Sequence, residues 1–134
     1  MSKQIDLLNK SAVALQSVIN NDSKIPRSLF DPIKIGKNIP FFGYIEIEIG
    51  ECPPFLMFSN DDDYVAKKFF WHGKNAYEAM SLNLWQYFAK SSRVVLDVGA
   101  YTGVYSLAAA QQNKKTRVYC FEPHSELPLI FRLP

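Results

Sequence analysis

The chain is poor in the residues that build metal centres and disulfide frameworks. Its 134 residues include two cysteines, Cys52 and Cys120, and two histidines, His72 and His124. No C-x-x-C pair occurs and neither histidine has a ligand-spaced partner, which argues against a zinc site. Two thiols far apart in sequence fit a reducing compartment best. Long apolar runs are lacking too: none approaches the ~18 residues of a membrane span. The opening residues, MSKQIDLLNKSAVALQSVIN, have no continuous apolar stretch ending in a small-residue cleavage site, so no secretory leader is expected. Charge of one sign is equally scarce. The formal net charge is +2, and Lys67-Lys68 and Lys114-Lys115 are the lysine pairs. A nucleic-acid stripe needs more clustering than that. These absences point to a soluble, cytoplasmic protein with no membrane span and no nucleic-acid partner.

What is present is apolar. Hydrophobic residues make up 48% and aromatics 14% of the chain, a globular balance at a length that supports one modest core. Ile5, Leu8, Ala12, Leu15 and Ile19 recur at steps of three and four, one face of an amphipathic helix that Asn20-Asn21-Asp22 ends. With Pro26, Pro32, Gly36 and Pro40, residues 21–42 read as an irregular connection. In YIEIEIG, Ile45, Ile47 and Ile49 alternate with Glu46 and Glu48, a half-exposed strand whose hairpin partner is expected at Phe55–Phe58. The paired glutamates are then a wet face rather than an acid/base pair. Asp61, Asp62 and Asp63 precede an apolar-periodic run, where carboxylates suit a helix N-terminus better than a magnesium site.

Residues 75–90, NAYEAMSLNLWQYFAK, read as a helix with Tyr77, Met80, Leu84 and Phe88 on one face. Asn75 and Glu78 stand three apart, as in a capping box. The stretch VVLDVGAYTGVYSLAAA, residues 94–110, is the one that carries chemistry. Val94, Val95 and Leu96 form an unalternating apolar run, the pattern of a strand buried on both faces. Gly99 to Gly103 form a turn, Val104 to Gln112 a helix ended by Asn113-Lys114-Lys115, and RVYCFEP at 117–123 a second strand. Strand, glycine turn, helix and strand make a βαβ unit with a right-handed crossover expected.

Ligands of open α/β sheets bind at the carboxyl ends of the strands. Asp97 and Glu122 stand there, with Gly99 and Gly103 permitting close approach to the backbone. Glu122 follows Gly103 by 19 positions, near the ~20-residue interval at which an acid meets ribose hydroxyls in nucleotide-binding units. The dinucleotide fingerprint G-x-G-x-x-G fails, because Tyr101 and Val104 stand at its later glycine positions, and no G-K-[ST] Walker loop exists. An acid just before the first glycine disfavours a pyrophosphate and suits a ligand bearing a sulfonium and an ammonium.

D-x-G-A-x-x-G-x-[YF]-[ST] followed by F-E-P, legible at 97–106 and 121–123, resembles the FkbM-type family of class I, Rossmann-like S-adenosylmethionine-dependent methyltransferases. Tyr77-Glu78 resembles the aromatic-Glu pair upstream of the family's first motif. The resemblance covers roughly residues 42–125, and Tyr101 stands where asparagine is common. It implies an α/β fold: the N-terminal part of a Rossmann-like methyltransferase sheet, its domain beginning at 75–134, preceded by a helix and β-hairpin extension over 1–74. It implies S-adenosyl-L-methionine as cofactor. Gly99, Ala100, Tyr101 and Gly103 would line its methionine part, and Asp97 would hold its amino end directly or through water. Glu122 would take the ribose hydroxyls and Pro123 would shape the adenine side. Glu78 would reach the same pocket or serve only as a cap. The implied reaction is O-methyl transfer to a hydroxyl of a sugar, lipid or secondary metabolite, a small-molecule or glycan acceptor.

Two alternatives stand beside it, a nucleotide-binding module with a degenerate glycine loop and a non-catalytic remnant or interaction protein. Only two strands of the expected sheet precede Pro134 and a helix is due after the second, where Pro128 interferes. The chain is therefore expected to be a fragment of a longer methyltransferase, prone to self-association through exposed sheet edges.

Overall fold

The computed structural model describes residues 3–21, 31–123 and 129–133. It is a mixed α/β protein that divides into two compact units, one of Met1–Ile47 with Leu56–Tyr77, the other of Glu48–Phe55 with Glu78–Pro134.

The first unit opens with α1, Lys3–Asn21, which buries Ala12 and Ile19 along the apolar face legible in the sequence. Residues 22–30 of the expected irregular stretch lie outside the described residues. The remainder is not all irregular: α2 spans Pro32–Asn38. Proline at a first helical position costs no hydrogen bond, since that N–H has no partner inside the helix. The strands β1, Gly43–Ile47, and β2, Phe55–Ser59, form a two-stranded sheet. Ile45, Ile47 and Met57 are buried on one face while Tyr44, Glu46, Leu56 and Phe58 are exposed on the other, as period-two alternation requires. Asp63 begins α3, Tyr64–His72, accepting a 2.7 Å hydrogen bond from the Val65 N–H. That helix supplies the unit's core: Val65, Ala66, Phe69, Phe70 and Trp71 are all buried, and Phe41 stacks on Phe70 at 4.2 Å.

The second unit is built on β3, Val94–Val98, and β4, Arg117–Glu122, joined through α5, Val104–Gln112. The two strands pair in parallel, with Val95 opposite Val118 and Asp97 opposite Cys120. Both α4, Ala79–Ala89, and the strands pack on α5. The core between them comprises Ala89, Val95, Ala109 and Val118, with Trp85 and Ala110 against it. Asn113 closes α5 and ties it down: its amide donates to the carbonyls of Lys90 and Ser92, and its oxygen accepts from the Lys115 N–H.

Five sequence expectations are corrected here. Helix α4 starts four residues later than read, and its apolar face is turned outward: Met80, Leu84 and Phe88 are exposed, whereas Leu82, Gln86 and Ala89 are buried. The face that packs on α5 is the one with the small residue, which lets two helices approach closely. The capping box is absent, because Glu78 is the N-cap in a left-handed conformation and makes no side-chain cap hydrogen bond. Strand β3 is buried on one face only, with Val94, Leu96 and Val98 exposed, since both helices of this unit serve the other side. Finally, the sheet has three strands. Where a helix was due after β4, the strand β5, Leu129–Leu133, pairs antiparallel to it with Cys120 opposite Phe131; residues 124–128, with Pro128, lie outside the described residues.

No helix among the described residues is long and apolar enough to cross a membrane. Both cysteines are thiols, Cys120 buried and Cys52 half-buried.

Candidate functional site

The carboxyl ends of β3 and β4 meet at the turn 99–103. Its shape follows from its dihedrals. Gly99, Tyr101 and Gly103 have φ of 80°, 48° and 78°, and the left-handed region is cheap only where the side chain is missing. Two hydrogen bonds hang the turn from the neighbouring strand: the N–H groups of Gly99 and Ala100 both donate to the Phe121 carbonyl, at 2.9 and 3.1 Å. A third closes it, from the Gly103 N–H to the Ala100 carbonyl at 2.7 Å. Outside the turn is space. A Cβ built on Gly99 or Gly103 would meet no atom within 4 Å.

The acids gather around this turn in different ways. Glu122, the last residue of β4, accepts a 2.6 Å hydrogen bond from the Tyr101 N–H and so braces the turn from its open side. Asp97 lies on the helix-facing side of β3, 8% exposed, and accepts a 2.7 Å hydrogen bond from the hydroxyl of Ser106, itself buried in α5. Glu78 reaches the site from the start of α4: its carboxylate accepts from the Tyr105 hydroxyl at 2.5 Å. Ala100 is buried under the turn and Pro123 is exposed just beyond β4. The Thr102 hydroxyl is buried with no hydrogen-bond partner among the described residues, a cost that a native site usually explains. Gly103 also brings no side-chain acceptor to the first turn of α5, where a helix presents N–H donors to an anionic group.

Six of the eight sequence-derived site residues therefore lie in the turn, lead into it or bond to it, namely Asp97, Gly99, Ala100, Tyr101, Gly103 and Glu122; Pro123 follows Glu122 along the chain, and Glu78 is joined to the helix that follows the turn. The residues that sequence reasoning passed over are Tyr105 and Ser106. Their signal was in the motif itself, at its closing [YF]-[ST] positions, but no role was attached to them. Among the described residues no three His, Cys, Asp or Glu side chains gather as a metal site.

No family model matches the chain, and no curated protein or solved structure matches it either.

Proposed function

We propose that the turn 97–103 and Glu122 form the cofactor half-site of an S-adenosylmethionine-dependent methyltransferase of the FkbM type, with a Rossmann-like β3–α5–β4 unit at its centre. The observation that carries this reading is the glycine turn that joins β3 to α5 at the carboxyl end of a parallel strand pair, open above Gly99 and Gly103, with the Glu122 carboxylate bonded to it and the Glu78 carboxylate bonded to Tyr105 just beyond it. The residues suit the group. The open space accepts a ligand that lies against bare backbone, and the donors at the start of α5 suit a ligand carboxylate. A carboxylate accepts up to about four hydrogen bonds, so Glu122 can brace the turn and receive ribose hydroxyls as well. The buried hydroxyl of Thr102 is a further group for which a ligand-bound arrangement would give a partner.

In this reading Gly99, Ala100, Tyr101 and Gly103 hold the methionine part, Glu122 the ribose and Pro123 the adenine side. S-adenosylmethionine supplies a methyl group already activated on a sulfonium, so what the chain contributes is mainly orientation. The acceptor would be a hydroxyl of a sugar, lipid or secondary metabolite. Strand β5 departs from the doubly wound pattern, which places a parallel strand beside the second one, so the reading rests on β3, α5 and β4 alone.

The test is calorimetric titration with S-adenosylhomocysteine and, separately, with NAD. Saturable binding of S-adenosylhomocysteine in the micromolar range, lost in Glu122→Ala, is expected. Binding of NAD in preference would replace this reading with a nucleotide-binding module, and binding of neither would leave an interaction protein.

A further inference from the structure

Glu78 is an expensive residue to keep where it is. Its backbone is left-handed, φ 38° and ψ 44°, a conformation that costs a residue with a Cβ and that glycine or asparagine would occupy more cheaply. It stands at the N-cap of α4 without capping it. The side chain instead meets Tyr105, 27 residues along the chain. Strain of this kind persists only where the surroundings enforce it, and it concentrates at ligand sites.

Tyr105 is itself fixed from two directions. Its carbonyl accepts the Trp85 indole N–H at 2.9 Å, and its ring meets that indole edge-on, centroids 5.4 Å apart at 89°. The phenol therefore has a defined place from which to hold a carboxylate. Residues 101–105 hold two glutamates in this way, Glu122 through the Tyr101 N–H and Glu78 through the Tyr105 hydroxyl.

We propose that Tyr105 is a positioning residue that fixes the Glu78 carboxylate as an acceptor for the ligand of the glycine turn. The inference rests on the cofactor reading above. A carboxylate on a flexible stem loses rotamer freedom when it binds; one already held by a phenol has lost it beforehand, which is the gain of preorganisation. The competing role is a simple staple between α4 and α5, which would affect stability and leave binding alone.

A double-mutant cycle separates the two, with S-adenosylhomocysteine as the probe. Tyr105→Phe keeps the ring and its contact with Trp85 and removes only the hydroxyl. It is expected to weaken binding by up to about tenfold, the rotamer freedom that an unheld glutamate must then lose on binding, while its ligand-free thermal midpoint stays near that of the wild type because the bond is exposed. Glu78→Ala, which leaves no acceptor for the phenol, is expected to weaken binding at least as much. In the Glu78→Ala background, Tyr105→Phe should then change affinity no further. Unchanged affinity in Tyr105→Phe overturns the inference and leaves the cofactor reading standing. Losses that multiply across the two sites overturn it too, because Tyr105 would then act independently of Glu78. Absence of binding by the wild type overturns the cofactor reading and this inference with it.

Discussion

Ser106→Ala removes one hydroxyl and should be felt well beyond its size. The hydroxyl donates to Asp97 at 2.7 Å, and both residues are buried, Ser106 at 2% and Asp97 at 8% exposure. A hydrogen bond to a charged group contributes about 1.5–3 kcal/mol, and a buried carboxylate deprived of its donor bears the full desolvation cost. Alanine returns roughly 0.5 kcal/mol through its better helix propensity, so a net loss of about 1–2.5 kcal/mol is expected. Urea unfolding followed by circular dichroism measures it, as a lower midpoint at unchanged slope. The sign of the coupling is the sharper test. In an Asp97→Ala background no carboxylate remains to be orphaned, so Ser106→Ala should there be neutral or stabilising by roughly 0.5 kcal/mol. A loss under about 0.5 kcal/mol in the wild-type background, or an equal loss in both backgrounds, would refute the pairing as a structural strut.

Other substitutions test other links. Trp71→Ala should destabilise the first unit by about 3–5 kcal/mol, because the side chain is 1% exposed and packed edge-on against Phe70; thermal unfolding reads it. Gly103→Ala meets open space at φ 78°, so its cost is backbone strain alone, about 1–2 kcal/mol. Gly50→Ala would in addition drive its Cβ into the Asn83 side-chain oxygen and should cost more. Burial, helped by neighbouring Asp62, pushes the Asp63 carboxyl above its usual value of 3.8, against the Val65 and Ala66 N–H groups and Lys67. A raised acid is favoured protonated in the fold, so its contribution to stability is largest below that value and declines as pH rises through the raised one. Asp63→Asn keeps the cap and should flatten that decline in a series of melts started near pH 4.

The elements that sequence reasoning located are those whose pattern reports a local fact. Alternation of Ile45 and Ile47 with Glu46 is a property of one strand, and the Asp63 cap a property of one helix end. Both can be read without knowing the neighbours. Helix α4 could not be read in that way. Its two candidate faces, Met80-Leu84-Phe88 and Leu82-Gln86-Ala89, compete, and hydrophobicity favours the face that is exposed. What decides is the partner. Alanines Ala108 and Ala109 of α5 are fully buried, and such a surface admits a close neighbour better than a Met-Leu-Phe ridge does. Strand β5 was illegible for the same reason. Leu129–Leu133 has no alternation to declare it, and its place is given by the edge of β4 that it covers.

The site shows where reading by motif stops and reading by pleat begins. Asp97 and Glu122 appear in the motif as acids beside a glycine turn and Glu78 as an acid upstream of it, and the motif does not say which of them is buried. Strand parity does. Asp97 shares its face of β3 with Val95, the face that packs on α5, so its carboxylate is drawn into the core and Ser106 is placed to meet it. Had the parity been reversed, it would stand with Leu96 and Val98 on the exposed face. Glu122 and Glu78 sit at element ends, where neither pleat nor helix period constrains them, and each accepts a hydrogen bond from a donor in residues 101–105. In the proposed cofactor site, then, Asp97 would act through its bond to Ser106 of α5 rather than by holding the amino end of the cofactor, and the two glutamates would touch the ligand. Asp97→Asn, which keeps an acceptor for Ser106, should accordingly spare affinity for S-adenosylhomocysteine more than Glu122→Gln does. The reverse order in the same titration would mean that the buried carboxylate reaches the ligand after all.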